Sequence, residues 1–138
     1  MAVRVPLELK GPAGTVRTSA VLNGGFEVPE PHLLLPAGCA ESVLGDYARG
    51  AQREELEAAG GDVTLLRSAE QVVGRVCVAD RIGPSVDFRV FVSSADTEVL
   101  VSDGGIDALG LRVESFVPGR WRFADEKQIR GTAAPAYW

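Results

Sequence analysis

Apolar and polar residues alternate with a period of two along most of this chain, the pattern of half-buried β-strands. Segments rich in glycine and proline separate the alternating stretches and keep each one short. The predicted strands are Val3–Leu9, Thr15–Leu22, His32–Pro36, Val63–Arg67, Gln71–Ala79, Val86–Ser93, Glu98–Ser102, Leu111–Phe116 and Arg120–Phe123. Short strands at regular spacing favour a closed or partly closed barrel.

Two short helices are predicted within this all-β chain, at Ala37–Leu44 and Asp103–Leu109, and a glycine stops each of them. Arg53–Glu57 is rich in helix-forming residues and is expected to be helical as well. Asp103 stands at the start of the second helix, where its side chain is expected to act as the N-cap. The fold class is therefore an all-β closed barrel with one or two short helices.

Composition and length indicate one soluble domain. The chain has 138 residues, of which 46% are apolar and 24% are charged. We expect the barrel to occupy residues 1–123, followed by a C-terminal tail over residues 124–138 without clear periodicity. No apolar run approaches the roughly 20 residues that span a bilayer. The N-terminus lacks the apolar stretch of a signal peptide, which predicts a cytoplasmic protein without membrane contact.

Charge and potential ligand residues exclude several classes of function. The net charge is −5 and the chain has no basic cluster, so nucleic acid is not an expected partner. Cys39 and Cys77 are expected to be buried free thiols. His32 is the only histidine, and a nucleophilic pair of Cys39 with His32 would lack an orienting partner. Neither a metal nor a cofactor is expected from these residues.

Three features with potential chemistry follow one another along the sequence. The first is an apolar strand that runs into a turn of small residues, Ala20–Gly25. The second is the apolar strand and short helix from His32 to Gly45. The third is the strand Glu98–Ser102, which leads into Gly104–Leu111. Each motif is short, but their order and spacing together are moderately specific.

Together these features resemble the retropepsin-like aspartic proteases, and particularly uncharacterised archaeal proteins related to them. In that family a strand delivers an Asp-Thr/Ser-Gly turn, and an apolar strand follows. Near the C-terminus, two apolar residues and a small one precede a short helix that ends in a Leu-Gly-aliphatic step. Leu100, Val101 and Ser102, followed by Ala108–Leu111, match this second element. The resemblance covers roughly Thr15–Phe123.

The resemblance implies a retropepsin-like barrel that works as a homodimer. The family chemistry uses two carboxylates that share a proton, one from each half of a twofold-symmetric pair. A chain of this length carries one such turn, so the second turn would come from a second copy. A flap hairpin usually covers the cleft of these proteases. The expected tip is Ala59–Asp62, centred on Gly60 and Gly61.

The catalytic turn departs from the family pattern. Asn23 stands where the water-activating aspartate would be, and an amide does not exchange a proton near neutral pH. Gly24 replaces the hydroxyl residue that interlocks the two turns, whereas Gly25 matches the motif glycine. Ser102 stands for a usual glycine. These departures predict a degenerate protease relative that binds a peptide or a protein partner.

Three alternatives remain open at this point. Asparagine followed by glycine is prone to deamidation, so Asn23 could mature into aspartate and give an active endopeptidase. Asn23-Gly24 is also a common type I′ hairpin signal, and then Thr15–Leu22 would turn directly back into the next strand. The two prolines Pro29 and Pro31 make that returning strand a poor one. The last alternative is a purely structural interaction module.

Overall fold

A computed structural model describes residues 2–22, 26–58 and 61–138 of the chain. The strands are β1 (Arg4–Gly11), β2 (Gly14–Leu22), β3 (His32–Pro36), β4 (Gln52–Ala58), β5 (Gly61–Arg67), β6 (Val72–Val78), β7 (Arg81–Ile82), β8 (Val86–Ser93), β9 (Val99–Val101), β10 (Leu111–Phe116), β11 (Gly119–Phe123) and β12 (Arg130–Gly131). The helices are α1 (Ala37–Leu44) and α2 (Asp103–Ala108).

Six of these strands form a closed barrel in the order β8-β3-β9-β2-β1-β6, which closes through pairing of β6 with β8. The hairpin of β1 and β2 is antiparallel, as predicted. β9 lies between β2 and β3, parallel to β2 and antiparallel to β3. β3 also runs parallel to β8. The all-β barrel with two short helices predicted from the alternation is confirmed.

The barrel interior is filled by the apolar residues that alternate along the strands. Val5, Leu7 and Leu9 of β1 are essentially inaccessible to solvent. Trp121 and Phe123 of β11 are buried in the same cluster and contact each other edge to face at 5.4 Å. β3 is buried along its whole length, as its unbroken apolar sequence predicts. A smaller apolar cluster, described with the site below, lies apart from this core.

The helix α1 is the one predicted from the sequence, and it ends where Gly45 adopts a φ of 70°. Pro36 stands at its N-cap, where a missing N–H costs nothing. The helix packs on β1 and β2 so closely that a Cβ at Gly11 would lie 2.2 Å from the carbonyl oxygen of Val43. This close approach explains why glycine occupies position 11, at the end of β1.

Two local predictions are wrong. Arg53–Glu57 is not helical but lies within β4, which pairs along its length with β5. Pairing with a neighbouring strand therefore outweighs the helix propensity of its glutamates. The second error concerns the cysteines: Cys39 is buried, as expected, but Cys77 is partly exposed, and both are free thiols.

The residues that follow the barrel strands are tied back to them. β10, β11 and β12 form a separate three-stranded sheet. The tail beyond it reaches the barrel, because the backbone N–H of Trp138 donates to Thr97 O at 2.9 Å. The indole Nε1 of Trp138 donates to Thr18 Oγ1 at 3.1 Å.

A network of charged side chains joins this C-terminal sheet to the β6–β7 turn; we call it the Arg130 network. Its members are ion-paired and lie at the protein surface: Asp80, Arg81, Asp125, Glu126 and Arg130. Arg130 bonds both oxygens of Asp80, at 2.7 and 2.9 Å, and its Nε bonds Glu126 at 2.9 Å. The Cζ of Arg81 lies 4.0 Å from the centroid of the Phe123 ring.

Among the described residues, no helix has the length and apolar composition needed to cross a lipid bilayer.

Candidate functional site

The ends of β2 and β9 mark the candidate site. The two strands are parallel neighbours, with Leu22 opposite Val101, so both end at the same edge of the barrel. β2 stops directly before Asn23, Gly24 and Gly25, which lie outside the described residues. β9 contains Leu100 and Val101 and stops directly before Ser102. Two motifs far apart in sequence are therefore delivered to one end of the barrel.

The hairpin alternative for Asn23-Gly24 is wrong in one respect. β2 pairs with β1 and β9 and not with the strand that follows it in the chain. The described residues 26–31 contain no strand, and β3 begins only at His32. Residues 26–31 therefore lie outside the sheet before the chain enters the barrel again at β3.

Ser102 is fully buried and holds three segments together through one hydroxyl group. Its Oγ accepts hydrogen bonds from the backbone N–H of His32 at 2.9 Å and of Gly105 at 3.1 Å. The hydroxyl is 3.2 Å from the carbonyl oxygen of Glu30 and donates to it. Ser102, and not Asp103 as expected from the sequence, is the N-cap of α2. A serine hydroxyl can accept and donate at once, whereas Asp103 makes no such cap.

The segment that follows the predicted turn is fixed to the start of α2. The N–H of Asp103 donates to Phe26 O, and that of Gly104 donates to Val28 O, both at 3.1 Å. Gly104 is required at this contact, because a Cβ there would lie 2.2 Å from the carbonyl oxygen of Pro29. The residues around Val28 are therefore held against the same barrel end as Ser102.

The hairpin of β4 and β5 is joined to the barrel at its open end, and its outer pairs run away from the barrel end that carries Ser102, because β5 is antiparallel to β8. β5 is paired to the barrel only through Leu66 and Arg67, which lie opposite Val92 and Phe91 of β8. The remaining pairs join β4 to β5, out to Ala58 and Gly61. Gly61 has a φ of 115°, in the region that favours glycine. Gly60, the other expected tip residue, lies outside the described residues.

A groove of about 720 Å³ lies between this hairpin and the segment after β2. Residues from four parts of the chain line it: Val28, Pro29, Glu30, His32, Arg53, Glu54, Glu55, Arg67, Arg89 and Phe91. We call it the hairpin groove. Its volume lies in the range of small-molecule and peptide side-chain pockets.

The floor of the hairpin groove is aromatic. The His32 and Phe91 rings are stacked, with centroids 5.2 Å apart and planes inclined by 18°. Phe26 lies against Phe91 at 6.3 Å. Phe91 belongs to the small apolar cluster outside the barrel core, with Leu34 and Leu65 as its other buried members. The floor is therefore built on packed side chains and is not a mobile loop surface.

His32 is held in one orientation. Its Nδ1 lies 3.0 Å from the carbonyl oxygen of Glu30. Because a carbonyl oxygen only accepts, Nδ1 carries a proton in this contact. The side chain of His32 is buried.

Cys39, by contrast, lies in the barrel core, where burial raises the pKa of its thiol to about 12. That thiol is inert, and the described residues show no Cys–His nucleophilic arrangement.

Arginine and glutamate side chains form the walls of the hairpin groove. Arg67 Nη2 lies 2.8 Å from Glu54 Oε1, and its Cζ lies 5.6 Å from the Phe91 ring centroid. Arg89 Nε lies 3.5 Å from Glu30 Oε2. No group of three His, Cys, Asp or Glu residues in the described ranges could hold a metal ion. The groove can thus offer hydrogen bonds and charge pairs to an extended ligand.

Sequence reasoning identified only part of this site. It named Leu100, Val101 and Ser102, but it did not assign Arg89 or Phe91 to the site. A signal was present in the alternation of β8, where Asp87, Arg89 and Phe91 fall on the face opposite the core residues Phe88 and Val90.

No protein-family model matches the sequence, and no curated protein is significantly similar to it.

Proposed function

We propose that this chain is a retropepsin-like domain that acts as a homodimer and binds an extended peptide without the acid–base catalysis of that family. The order of the motifs along the sequence supports this proposal. The closed barrel and the short helix after β9 are compatible with it. The peptide lies along the hairpin groove, and the function is recognition of an extended chain segment.

The parallel pairing of β2 with β9 carries the proposal. This pairing sets Leu22 opposite Val101 and so brings the two motif segments to one barrel end. The groove opens beside the same end, with Val28 and His32 in its wall and floor. A catalytic turn and a peptide groove must lie next to each other to act on the same peptide, whereas a purely structural barrel has no such requirement.

Asn23 is the reason for proposing binding without hydrolysis. A carboxylate pair can share a proton and exchange it with water, and an amide cannot. The loss of general acid–base catalysis lowers the rate by about 10²–10⁴-fold. The single turn in each chain is the reason for proposing a homodimer, since a twofold axis would set two copies of Asn23 against each other.

Restoring the carboxylate tests the proposal. We expect wild-type protein to leave a mixed peptide substrate intact between pH 3 and pH 7, and Asn23→Asp to cleave it with sensitivity to a pepstatin-type inhibitor. Asn23→Gln serves as the matched control, because it keeps an amide but deamidates far less readily. Sedimentation of the wild-type protein should give a dimer.

The remaining outcomes separate the alternatives. Wild-type protein could cleave the peptide at a rate that increases as its mass rises by about one dalton. If Asn23→Gln showed no such cleavage, this result would establish deamidation and an active endopeptidase. A monomer whose Asn23→Asp variant is also inactive would contradict the proposal and favour a structural interaction module.

A further inference from the structure

Three arginines from three different strands line the hairpin groove, and two of them, Arg67 and Arg89, differ in how firmly they are bound within the chain. Arg53, Arg67 and Arg89 lie on β4, β5 and β8. Arg67 is held by its 2.8 Å contact with Glu54 and by stacking over Phe91. It therefore acts as part of the groove wall.

Arg89 is held much less firmly. Its side chain is 52% exposed, and the Glu30 carboxylate beside it is 62% exposed. The 3.5 Å between Arg89 Nε and Glu30 Oε2 exceeds the roughly 2.7–2.9 Å of a strong charge-assisted hydrogen bond. Ion pairs this exposed contribute little to folding stability. The Arg89 guanidinium can therefore exchange Glu30 for another carboxylate at small cost.

Arg89 is the exposed group on a face of the sheet that it shares with buried rings. Arg89 and His32 are partners in the parallel register of β3 and β8, so their side chains project from the same face. The stacked His32 and Phe91 rings thus lie next to the guanidinium. Both rings are almost fully covered, so the group that a ligand meets on this face is the exposed fork of Arg89, which suits a carboxylate.

We propose that the hairpin groove selects peptides with an acidic side chain, whose carboxylate replaces Glu30 as the partner of Arg89. This inference rests on the peptide-binding function proposed above. The net charge of −5 works against acidic ligands at long range. A preference for aspartate or glutamate would therefore originate in the groove itself.

A displayed library of random twelve-residue peptides tests this inference. We expect wild-type protein to enrich sequences that share an aspartate or glutamate at one position. The Arg89→Gln variant should lose that preference while still enriching peptides. Arg112→Gln is the matched control, because Arg112 is also a half-exposed strand arginine but does not line the groove. Thermal melts should confirm that both variants are folded.

Glu30→Gln gives a test in the opposite direction. It removes the internal competitor but keeps the Glu30 backbone carbonyl, which bonds His32 and Ser102. With a synthetic amidated peptide from the selection, fluorescence anisotropy should show about threefold to tenfold tighter binding to Glu30→Gln than to wild type. Arg89→Gln should bind about threefold to tenfold more weakly. The same peptide with glutamine for its acidic residue should not distinguish the three proteins.

The results separate failure of this inference from failure of the proposed function. Two results would overturn the acid preference but not peptide binding. In the first, the enriched peptides share no acidic position. In the second, they share one, and Arg89→Gln enriches the same acidic residue. No enrichment by folded wild-type protein would overturn both.

Discussion

At Ser102 one uncharged, fully buried hydroxyl joins backbone groups of the Glu30 segment, β3 and α2, whereas five charged side chains at the surface join the Arg130 network. The three hydroxyl bonds depend on one oxygen atom, although a backbone bond from the Ser102 N–H to His32 O at 3.1 Å also joins two of these segments. In the Arg130 network, Arg130 contacts two carboxylates and Glu126 contacts two guanidinium groups. Loss of one member therefore leaves other contacts in place.

The comparison shows which kind of junction can tolerate change. Buried backbone groups that lose a partner cannot find water, so they incur the full desolvation cost. Surface charges that lose a partner are solvated again, and salt already screens them. The barrel end beside the candidate site is thus predicted to be sensitive to a single atom, whereas the C-terminal sheet is predicted to be sensitive to solution conditions.

Removing the Ser102 hydroxyl should produce the largest effect. In Ser102→Ala the N–H groups of His32 and Gly105 and the carbonyl of Glu30 lose a partner, and α2 loses its cap. We expect the free energy of unfolding to fall by about 3 kcal/mol in urea titrations. Ser42→Ala is the matched control, since Ser42 is an exposed helical serine that bonds only Gly38 O. A loss below about 1 kcal/mol for Ser102→Ala would show that the barrel end relaxes or admits water.

Arg130→Gln should produce a smaller loss that depends on salt. Arg130 is 10% exposed, and its guanidinium bonds Asp80 and Glu126. We expect a loss of about 1 kcal/mol at low ionic strength, and a part of it should disappear in 1 M NaCl, where the Debye length is about 3 Å. The Ser102→Ala effect should be the same at both salt concentrations. A salt-independent loss for Arg130→Gln would mean that packing of its stem, and not its charge, supports the C-terminal sheet.

Acid should weaken the Arg130 network without affecting the Ser102 junction. The Arg130 guanidinium lowers the pKa of Asp80 and Glu126, and Arg81 lowers the pKa of Asp125. A carboxylate with a lowered pKa in the folded state stabilises the fold above its ordinary value near about 4, and this contribution is lost as the pH falls below that value. Stability measured from pH 5 to pH 2 should therefore decline less steeply in Arg130→Gln than in wild type. Equal slopes would contradict this assignment.

The local elements were predictable where one signal dominated. The apolar run of β3 and the helix α1, bounded by Pro36 and Gly45, follow directly from sequence. β4 was not predictable, because the glutamates around Arg53 favour a helix and only pairing with β5 makes them extended.

The candidate site depends still more on distant pairing. Leu100, Val101 and Ser102 could be recognised as a motif, but the three hydrogen bonds of Ser102 join residues that are about 70 positions apart or sit in another element. Arg89 reaches His32 only because β3 and β8 are parallel neighbours. No local sequence pattern encodes such a register. The aromatic floor of the hairpin groove and the position of Arg89 beside it can therefore be identified only from the folded structure.

The position of β9 between β2 and β3 also governs how the chain assembles. The β1–β2 hairpin closes through the short turn between Gly11 and Gly14 and can form in about 1–10 μs. The pairing of Ala20 with Val99 must instead close a long loop, which is slow. During synthesis, β2 and β3 emerge well before β9, and each has an unpaired edge on the side that β9 will fill. The barrel end that carries the candidate site can therefore close only after β9 has emerged, and until then the edges of β2 and β3 are open to strand addition by another chain.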